Sequence, residues 1–457
     1  MIQTLKSAFQ VFGNAFKVPE LRNKLLFVGL ILILYRIGAV MPVPFVDSGM
    51  MNVYFNSLGD GSIFTYLNML SGSAFASATL FALSVSPYIT SSIVLQLLDV
   101  AFPSLFGGAE GRQADPEKKR KRMTVGTRIT TVILAVLTSF GYYMIMKNNG
   151  ILTKDGETVL GAIVIITCYC TGAALIMWLA EKIEEKGIGN GISMILLANI
   201  LSGMGGVISN FIYMLQSGFQ KNVWVGLGNI GLAILSVAIT LAIVVFVIWI
   251  TGSERRIPVK YAKRVVGRKM YGGQSSHLPL KVNMSGVMPV IFASSIVSLP
   301  ATILGFIYGS SIPKGFWTVV NDLFSPTSNL WYVYAIVLFL LILAFAYFYV
   351  TISFDPVEVA NNLQKQGGQI PGIRQGTPTA EFIKRILSKV TLMGAFFLAF
   401  ISIFPVIVSQ IVSLFGISFA SIAFGGTSLL IVVGVIQETT REIEAQLTMR
   451  NYKGFLN

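Results

Sequence analysis

Of the side chains that ordinarily carry enzyme chemistry, this 457-residue chain holds one histidine and two cysteines. Cys168 and Cys170 lie inside a long apolar stretch, where a thiol is a small packing group, unsuited to a metal or a structural disulfide. His277 stands apart from them, in Gln274-Ser275-Ser276-His277-Leu278-Pro279-Leu280, and reads as a structural or hydrogen-bonding residue. No GxxxxGK[ST] phosphate loop, HExxH or GxSxG occurs, and no carboxylates cluster within the apolar stretches. Nucleotide hydrolysis and intramembrane proteolysis are excluded. The expectation is a protein that is not an enzyme, uses no metal or cofactor, and draws its energy from outside the chain.

What remains is a chemistry of aliphatic and hydroxyl groups at repeated positions. Pro87-Tyr88-Ile89-Thr90-Ser91-Ser92-Ile93-Val94 is echoed by Pro289-Val290-Ile291-Phe292-Ala293-Ser294-Ser295-Ile296-Val297, with one residue added. Gly191-Ile192-Ser193-Met194-Ile195-Leu196-Leu197 is echoed by Gly426-Thr427-Ser428-Leu429-Leu430-Ile431-Val432. These matches put Ile89, Ile291, Leu196 and Ile431 at corresponding places, with Val85 and Ile192 about one helical turn from Ile89 and Leu196. Six aliphatic side chains could meet as a ring, or could be ordinary bundle core. A ring that opens needs neighbours able to part. Ser84, Ser86, Thr90, Ser91, Ser92 and Gln96 on one side, and Asn283, Ser285, Ser294, Ser295 and Ser298 on the other, offer small, weakly bonding contacts of about 0.6–2 kcal/mol each. Pro87 and Pro289 are expected to weaken the backbone ladder there.

The elements that must position these groups are membrane spans. With 54% hydrophobic and 12% charged residues and a mean hydropathy of +0.72, the chain exceeds what a soluble core could hide. Stretches of about 20 apolar residues reach across ~30 Å of hydrocarbon. Ten are expected near 25–43, 74–101, 125–147, 158–180, 190–212, 224–251, 283–307, 332–353, 390–413 and 425–440, and none has a charge in its middle. Of the 34 Lys and Arg residues behind the +14 net charge, only Lys147, Lys154, Lys221, Lys314 and Arg36 fall on one side. The others belong to the termini and the loops after spans 2, 4, 6 and 8, which puts both termini in the cytoplasm. Both pairs of matching segments are five spans apart. Five is odd, so the halves face opposite ways, as an inverted repeat with the working site between them. The chain thus divides into a basic amphipathic tail over 1–24, expected on the membrane surface without a cleavable signal peptide, halves over 25–215 and 216–440, and a tail over 441–457.

Three connecting segments exceed what connection requires. Residues 61–70 could form two to three helical turns, broken by Ser71-Gly72-Ser73 before span 2. Such an outer half-helix could fold back and block a cavity, or be a re-entrant segment without a gating role. In loop 252–282, Ile257, Val259, Tyr261, Val265 and Tyr271 alternate with basic residues around Gly272-Gly273, the pattern of a projecting hairpin. Loop 354–389 carries a turn-rich tip, Gly367-Gly368-Gln369-Ile370-Pro371-Gly372-Ile373-Arg374. Positive-inside orientation alone would make these loops basic; their length and punctuation favour docking of an anionic partner, such as ribosomal RNA or an acidic face of a motor protein.

Taken by themselves these residues fit a conduit for unfolded chains. They also leave room for a small-solute transporter, since such carriers use inverted repeats and broken helices, and a sodium site of carbonyls and hydroxyls needs no buried charge. A scramblase or insertase would need a hydrophilic groove and intramembrane cations that are not found.

The motifs then narrow the choice. EKIEEKGIGNGIS at 181–193, YAKR at 261–264, SSHLPLKVNMSGVMPVIFASS at 275–295, PGIR at 371–374 and FGGTSLLIVV at 424–433 resemble the SecY family, the central subunits of the bacterial Sec protein-translocation channel, and the likeness extends along essentially the whole chain. The resemblance implies an all-α membrane protein of ten transmembrane helices in two inverted pseudo-repeats of five, with a plug half-helix and a cytoplasmic hairpin. It implies a pore ring of Val85, Ile89, Ile192, Leu196, Ile291 and Ile431, and a plug at 61–73 that includes Ile63, Phe64, Tyr66, Leu67, Met69 and Leu70. Spans 2, 3, 7 and 8 fall on its lateral gate, with Ser91, Ser92, Gln96, Asn283, Ser295 and Ser298. Arg255, Arg256, Arg268, Lys269 and Arg374 fall in the loops that dock the ribosome and the SecA motor ATPase. Further partners implied are the small membrane subunits SecE and SecG, signal peptides, nascent polypeptides and membrane lipid, in the bacterial cytoplasmic membrane. Departures are local: Ser84 stands where the family's span 2 motif has Gly, Glu184 where its signature has Thr, and Gln375 where PGIR is followed by Pro.

Overall fold

The computed structural model describes residues 13, 15–57, 68, 71–102, 116–221, 223–261, 264–266, 269–271, 275–308, 315–326, 328, 330–414 and 426–453. The fold is mostly helical: α1 (Pro19–Gly38), α2 (Ser48–Ser57), α3 (Ser86–Ala101), α4 (Pro116–Asn148), α5 (Val159–Lys186), α6 (Gly191–Lys221) and α7 (Val223–Gly252) precede the strands β1 (Glu254–Tyr261), β2 (Arg264–Val266), β3 (Lys269–Tyr271) and β4 (Ser275–Lys281). Then come α8 (Met288–Tyr308), α9 (Phe316–Leu323), α10 (Trp331–Ser353), α11 (Pro356–Lys365), β5 (Gly368–Gln369), α12 (Thr377–Leu414) and α13 (Gly426–Lys453). Among the described residues five helices are long and apolar enough to cross a membrane: Lys118–Asn148, Val159–Lys186, Met288–Tyr308, Trp331–Lys365 and Thr377–Val408.

Local chemistry explains where the helices begin. The Thr158 hydroxyl accepts from the Gly161 N–H at 3.1 Å and opens α5, and the Asn190 side chain accepts from Ser193 N–H at 3.1 Å to open α6. Asp355 caps α11 by accepting from Val357 N–H at 2.8 Å, with Pro356 at its first position. Pro87 and Pro289 correct an expectation. Each lies in the first turn of its helix, α3 or α8, where a missing N–H removes no intrahelical bond, so neither weakens the ladder. Both echoed pairs of segments therefore open helices, because Gly191 and Gly426 are likewise the first residues of α6 and α13. The proline inside α8 is Pro300.

The largest departure from the expected spans is the second. Residues 71–85 form no helix; they run as buried turns, and only Ser86–Ala101 is helical. Gly72, Ser73, Ala78 and Ser84 all have positive φ, and three of these four carry a Cβ that this region penalises. The segment survives at depth because protein surrounds it and satisfies its carbonyls. Tyr142 of α4 donates its hydroxyl to the Phe75 carbonyl, while its ring stacks on Phe75 at 4.4 Å between centroids. Tyr169 of α5 donates to the Ala78 carbonyl at 3.4 Å. Gly172 of α5 lets the backbone come close, since a Cβ there would sit 2.0 Å from the Leu80 carbonyl oxygen.

Other boundaries move less. The first helix stops at Gly38, α8 starts at Met288 instead of 283, and α4, α12 and α13 extend well beyond their apolar stretches at 116, 377 and 453. The described end of the N-terminal tail packs on protein: Ala15 and Leu21 are buried against Ile188 and Ile443. A main core gathers residues of α1, α3, α5, α6, α8, α10, α12 and α13, and a second lies between residues 43–51, the irregular segment, α4 and α5.

Candidate functional site

Four of the six aliphatic positions drawn from the repeats line one cavity of about 100 Å3: Ile89 from α3, Leu196 from α6, Ile291 from α8 and Ile431 from α13. All four are buried, at 6%, 2%, 5% and 3% exposure, so aliphatic side chains from four helices meet at the cavity. Val85 and Ile192 belong to the same core without lining the cavity. Val85 is the N-cap of α3, and its carbonyl accepts from Ile89 N–H at 3.0 Å, one turn away as the spacing required.

Beside the aliphatic groups the cavity wall becomes hydroxylic. Ser84, Ser86, Thr90, Ser294, Ser295, Ser298 and Thr302 line it. The hydroxyls from α8 are satisfied within their own helix: Ser294 and Ser295 donate to the Ile291 carbonyl at 3.0 and 2.8 Å, and Ser298 donates to Ser295 at 2.9 Å. Thr90 likewise donates to Ser86 at 3.1 Å. Side chains that bond their own backbone make no commitment across the α3–α8 contact, so that contact can separate without stranding a buried donor.

The remaining gate candidates scatter. Ser91 is buried and donates to the Thr127 carbonyl of α4 at 2.9 Å, away from the cavity. Ser92 accepts from Gln96 Nε2 at 3.0 Å along α3. Asn283 lies before α8 and outside the cavity wall, with Ser285 donating to its side-chain oxygen at 3.4 Å. The plug candidates Ile63, Phe64, Tyr66, Leu67, Met69 and Leu70 lie outside the described residues, as does Arg268.

One polar contact beside the cavity was not singled out from the sequence. Asn199 of α6 donates through Nδ2 to Ser84 Oγ at 3.2 Å, with both residues buried. Ser84 has φ +52, a conformation that glycine adopts without penalty. The departure from glycine at this position thus exchanges backbone ease for a side-chain hydrogen bond. An amide in the middle of an apolar stretch is the signal that could have found Asn199.

The two basic loops form a single platform. β1 pairs antiparallel with β4 from Glu254↔Lys281 to Lys260↔Ser275, and its last residues pair with β5 of the other loop, Lys260↔Gln369 and Tyr261↔Gly368. The sheet order is β4-β1-β5, while β2 and β3 form a separate two-stranded pair. Ile257, Val259 and Leu280 pack beneath it against Leu363, Ile370 and Ile383. Along β1 the expected alternation is obeyed, with Ile257 and Val259 buried and Arg255, Arg256 and Lys260 exposed, while Gly272-Gly273 lie outside the described residues. Arg256 also pairs with Glu254 at 2.7 Å. Lys269 lies on β3. Arg374 is exposed on a turn between Gly372 and Gly376, whose φ values are +83 and +90. Its carbonyl accepts from Thr379 Oγ1 at 2.7 Å, and Gln375 donates to the Gly368 carbonyl at 3.2 Å, so the tip is tied back to β5.

Comparisons with known proteins agree with this architecture. The SecY family profile matches residues 79–440. Protein translocase subunit SecY of Streptomyces galbus is 39% identical, the match covering 97% of this chain and 99% of the relative. The same subunit of Mycobacterium tuberculosis is 38% identical, again over 97% and 99%. Among solved structures, a protein-conducting channel superposes with a TM-score of 0.65 at 20% identity, covering 92% of this chain and 91% of the other. Sec61 in the canine ribosome-channel complex gives 0.61 at 18% identity over 92% and 91%. A family profile over most of the chain and relatives 38–39% identical along nearly its full length show that the chain belongs to the SecY family, and it is a protein-conducting translocation channel subunit, not an enzyme.

Proposed function

We propose that unfolded polypeptides cross the bacterial cytoplasmic membrane through the aliphatic cavity, and that sufficiently apolar segments leave sideways between α3 and α8 into lipid. The observation that carries this reading is the cavity where Ile89, Leu196, Ile291 and Ile431 meet beside α3 and α8 hydroxyls, of Thr90, Ser294 and Ser295, that bond within their own helices. Aliphatic side chains bind no passing residue strongly, and a constriction of them excludes water and ions when closed. Val85 and Ile192 complete the ring when it widens. Ten spans form inverted halves over 25–215 and 216–440, with both termini in the cytoplasm. Residues 61–73 act as the plug displaced by an entering chain.

The sheet platform serves as the docking surface. Arg255, Arg256, Arg268, Lys269 and Arg374 receive the ribosome or the SecA motor, which supplies the energy that this chain has no means to generate. Companion subunits of the SecE and SecG type complete the assembly. Site-specific photocross-linking from Ile89 and Ile431 to a stalled translocating chain tests the path. Cross-links at both positions are expected; a stalled chain that reacts with neither, while reacting with the docking loops, would remove the cavity from the path.

A further inference from the structure

A second cavity, of about 190 Å3, opens where the ends of α7 and β4, the turn before α8, and α13 come together. Its wall is rich in donors. Asn283 is only 7% exposed, and its Nδ2 has no hydrogen-bond partner. A buried amide N–H2 without an acceptor costs about 1–3 kcal/mol, so an occupant that accepts from it recovers that loss. Lys281 and Arg441 also line the cavity. One guanidinium nitrogen of Arg441 donates to the Thr251 carbonyl at 2.7 Å, leaving its other N–H groups to point elsewhere.

The backbone adds to this. Gly286, at φ +64, lines the cavity and turns the chain into α8; Pro289 has no N–H and the Val290 and Ile291 N–H groups donate to the Val287 carbonyl at 3.0 and 3.3 Å, so this end of the helix contributes the positive end of its dipole and not a row of free donors. Gly434 on α13 allows the approach, because a Cβ there would lie 2.0 Å from Val287 Cγ2. Glu438 and the Gln437 side chain share the wall and contribute acceptors. Desolvation, and then the Arg441 charge, hold the Lys281 ammonium below the usual lysine range against the opposing pull of Glu254 and Glu438.

We infer that this cavity binds one phosphate-class oxyanion, held by Lys281, Arg441 and the Asn283 amide. Donors from three separate side chains, two of them cationic, suit a tetrahedral oxyanion better than a planar carboxylate. The same chemistry is offered by free phosphate and by the phosphodiester of an anionic lipid. Either occupant would bridge the turn before α8 to α13.

The test uses the full chain in detergent micelles and follows its thermal midpoint during titration with inorganic phosphate, with dioctanoyl phosphatidylglycerol, and with dioctanoyl phosphatidylcholine as the zwitterionic control. Saturable stabilisation by phosphate identifies the free ion as ligand; stabilisation by phosphatidylglycerol alone identifies the lipid. In either arm Lys281→Met and Asn283→Leu should weaken the apparent affinity by about tenfold or more, the equivalent of one charge-assisted or rescued buried hydrogen bond. Lys281 stands at the exposed end of β4, so its variant keeps the test decisive should the Asn283 variant not fold. Stabilisation absent with both anionic probes, equal with phosphatidylcholine, or unchanged in Lys281→Met would overturn the proposal.

Discussion

Replacing Ile291 by asparagine probes the seal most directly. Ile291 is 5% exposed, lies in the first turns of α8 just after Pro289, and faces Ile89, Leu196 and Ile431 across the cavity. Its carbonyl already accepts from Ser294 and Ser295, so the new amide finds aliphatic neighbours in front of it and little spare acceptor capacity behind. Loss of the buried aliphatic group removes about 2 kcal/mol of favourable burial, and an unsatisfied amide adds about 1–3 kcal/mol. In an opened, hydrated pore the amide bonds water, so the second penalty falls on the closed state alone. A bias of about 2 kcal/mol towards opening corresponds to roughly thirtyfold in the closed-to-open ratio. Ile291→Val removes one methylene, at about 1 kcal/mol, without adding a polar group, and should remain sealed. Ion leak through reconstituted vesicles and export of a substrate with a defective signal sequence read the two variants. Both should rise for Ile291→Asn and not for Ile291→Val. Equal leak and equal export in the two variants and the parent would refute the reasoning.

Three further outcomes are expected. Ser84→Ala keeps the positive φ and loses the Asn199 hydrogen bond, so it should lower stability by about 1–2 kcal/mol, whereas Ser84→Gly relieves the backbone and should be close to neutral; thermal midpoints in detergent that rank glycine below alanine contradict this. Arg374→Glu should stop motor-driven export in reconstituted vesicles while the protein stays inserted and folded, because the side chain is exposed on a tip tied down by its neighbours' bonds; normal export rates would remove Arg374 from the docking surface. Thr90→Cys with Ser298→Cys, joined by a short thiol cross-linker, should block insertion of apolar segments, since both residues line the α3–α8 side of the cavity; undiminished insertion means that these helices do not part.

The sequence alone determined the membrane class, the family and four aliphatic residues, Ile89, Leu196, Ile291 and Ile431, that meet at one cavity. Apolar length and loop charge are one-dimensional quantities, and the matches of Ile89 to Ile291 and Leu196 to Ile431 needed only a comparison of the chain with itself. Strand alternation at Ile257 and Val259 was legible for the same reason: burial on one face repeats every second residue. Tertiary structure decided what depends on contacts between distant residues. The second span is read from the sequence as starting near 74 in a broken, small-residue tract, and the break runs on to residue 85 because Tyr142, Tyr169 and Gly172 supply partners and space that make turns cheaper there. Prolines that sequence reading placed as weak points proved to be helix starts, because their cost depends on position in the helix and not on the residue. Pairing of Tyr261 with Gly368 joined two loops into one platform, and the meeting of Lys281, Asn283 and Arg441 made a cavity of residues that no local pattern connects. Periodicity fixes which face of an element is apolar; only the packed chain fixes which other face, and which stray polar group, it meets.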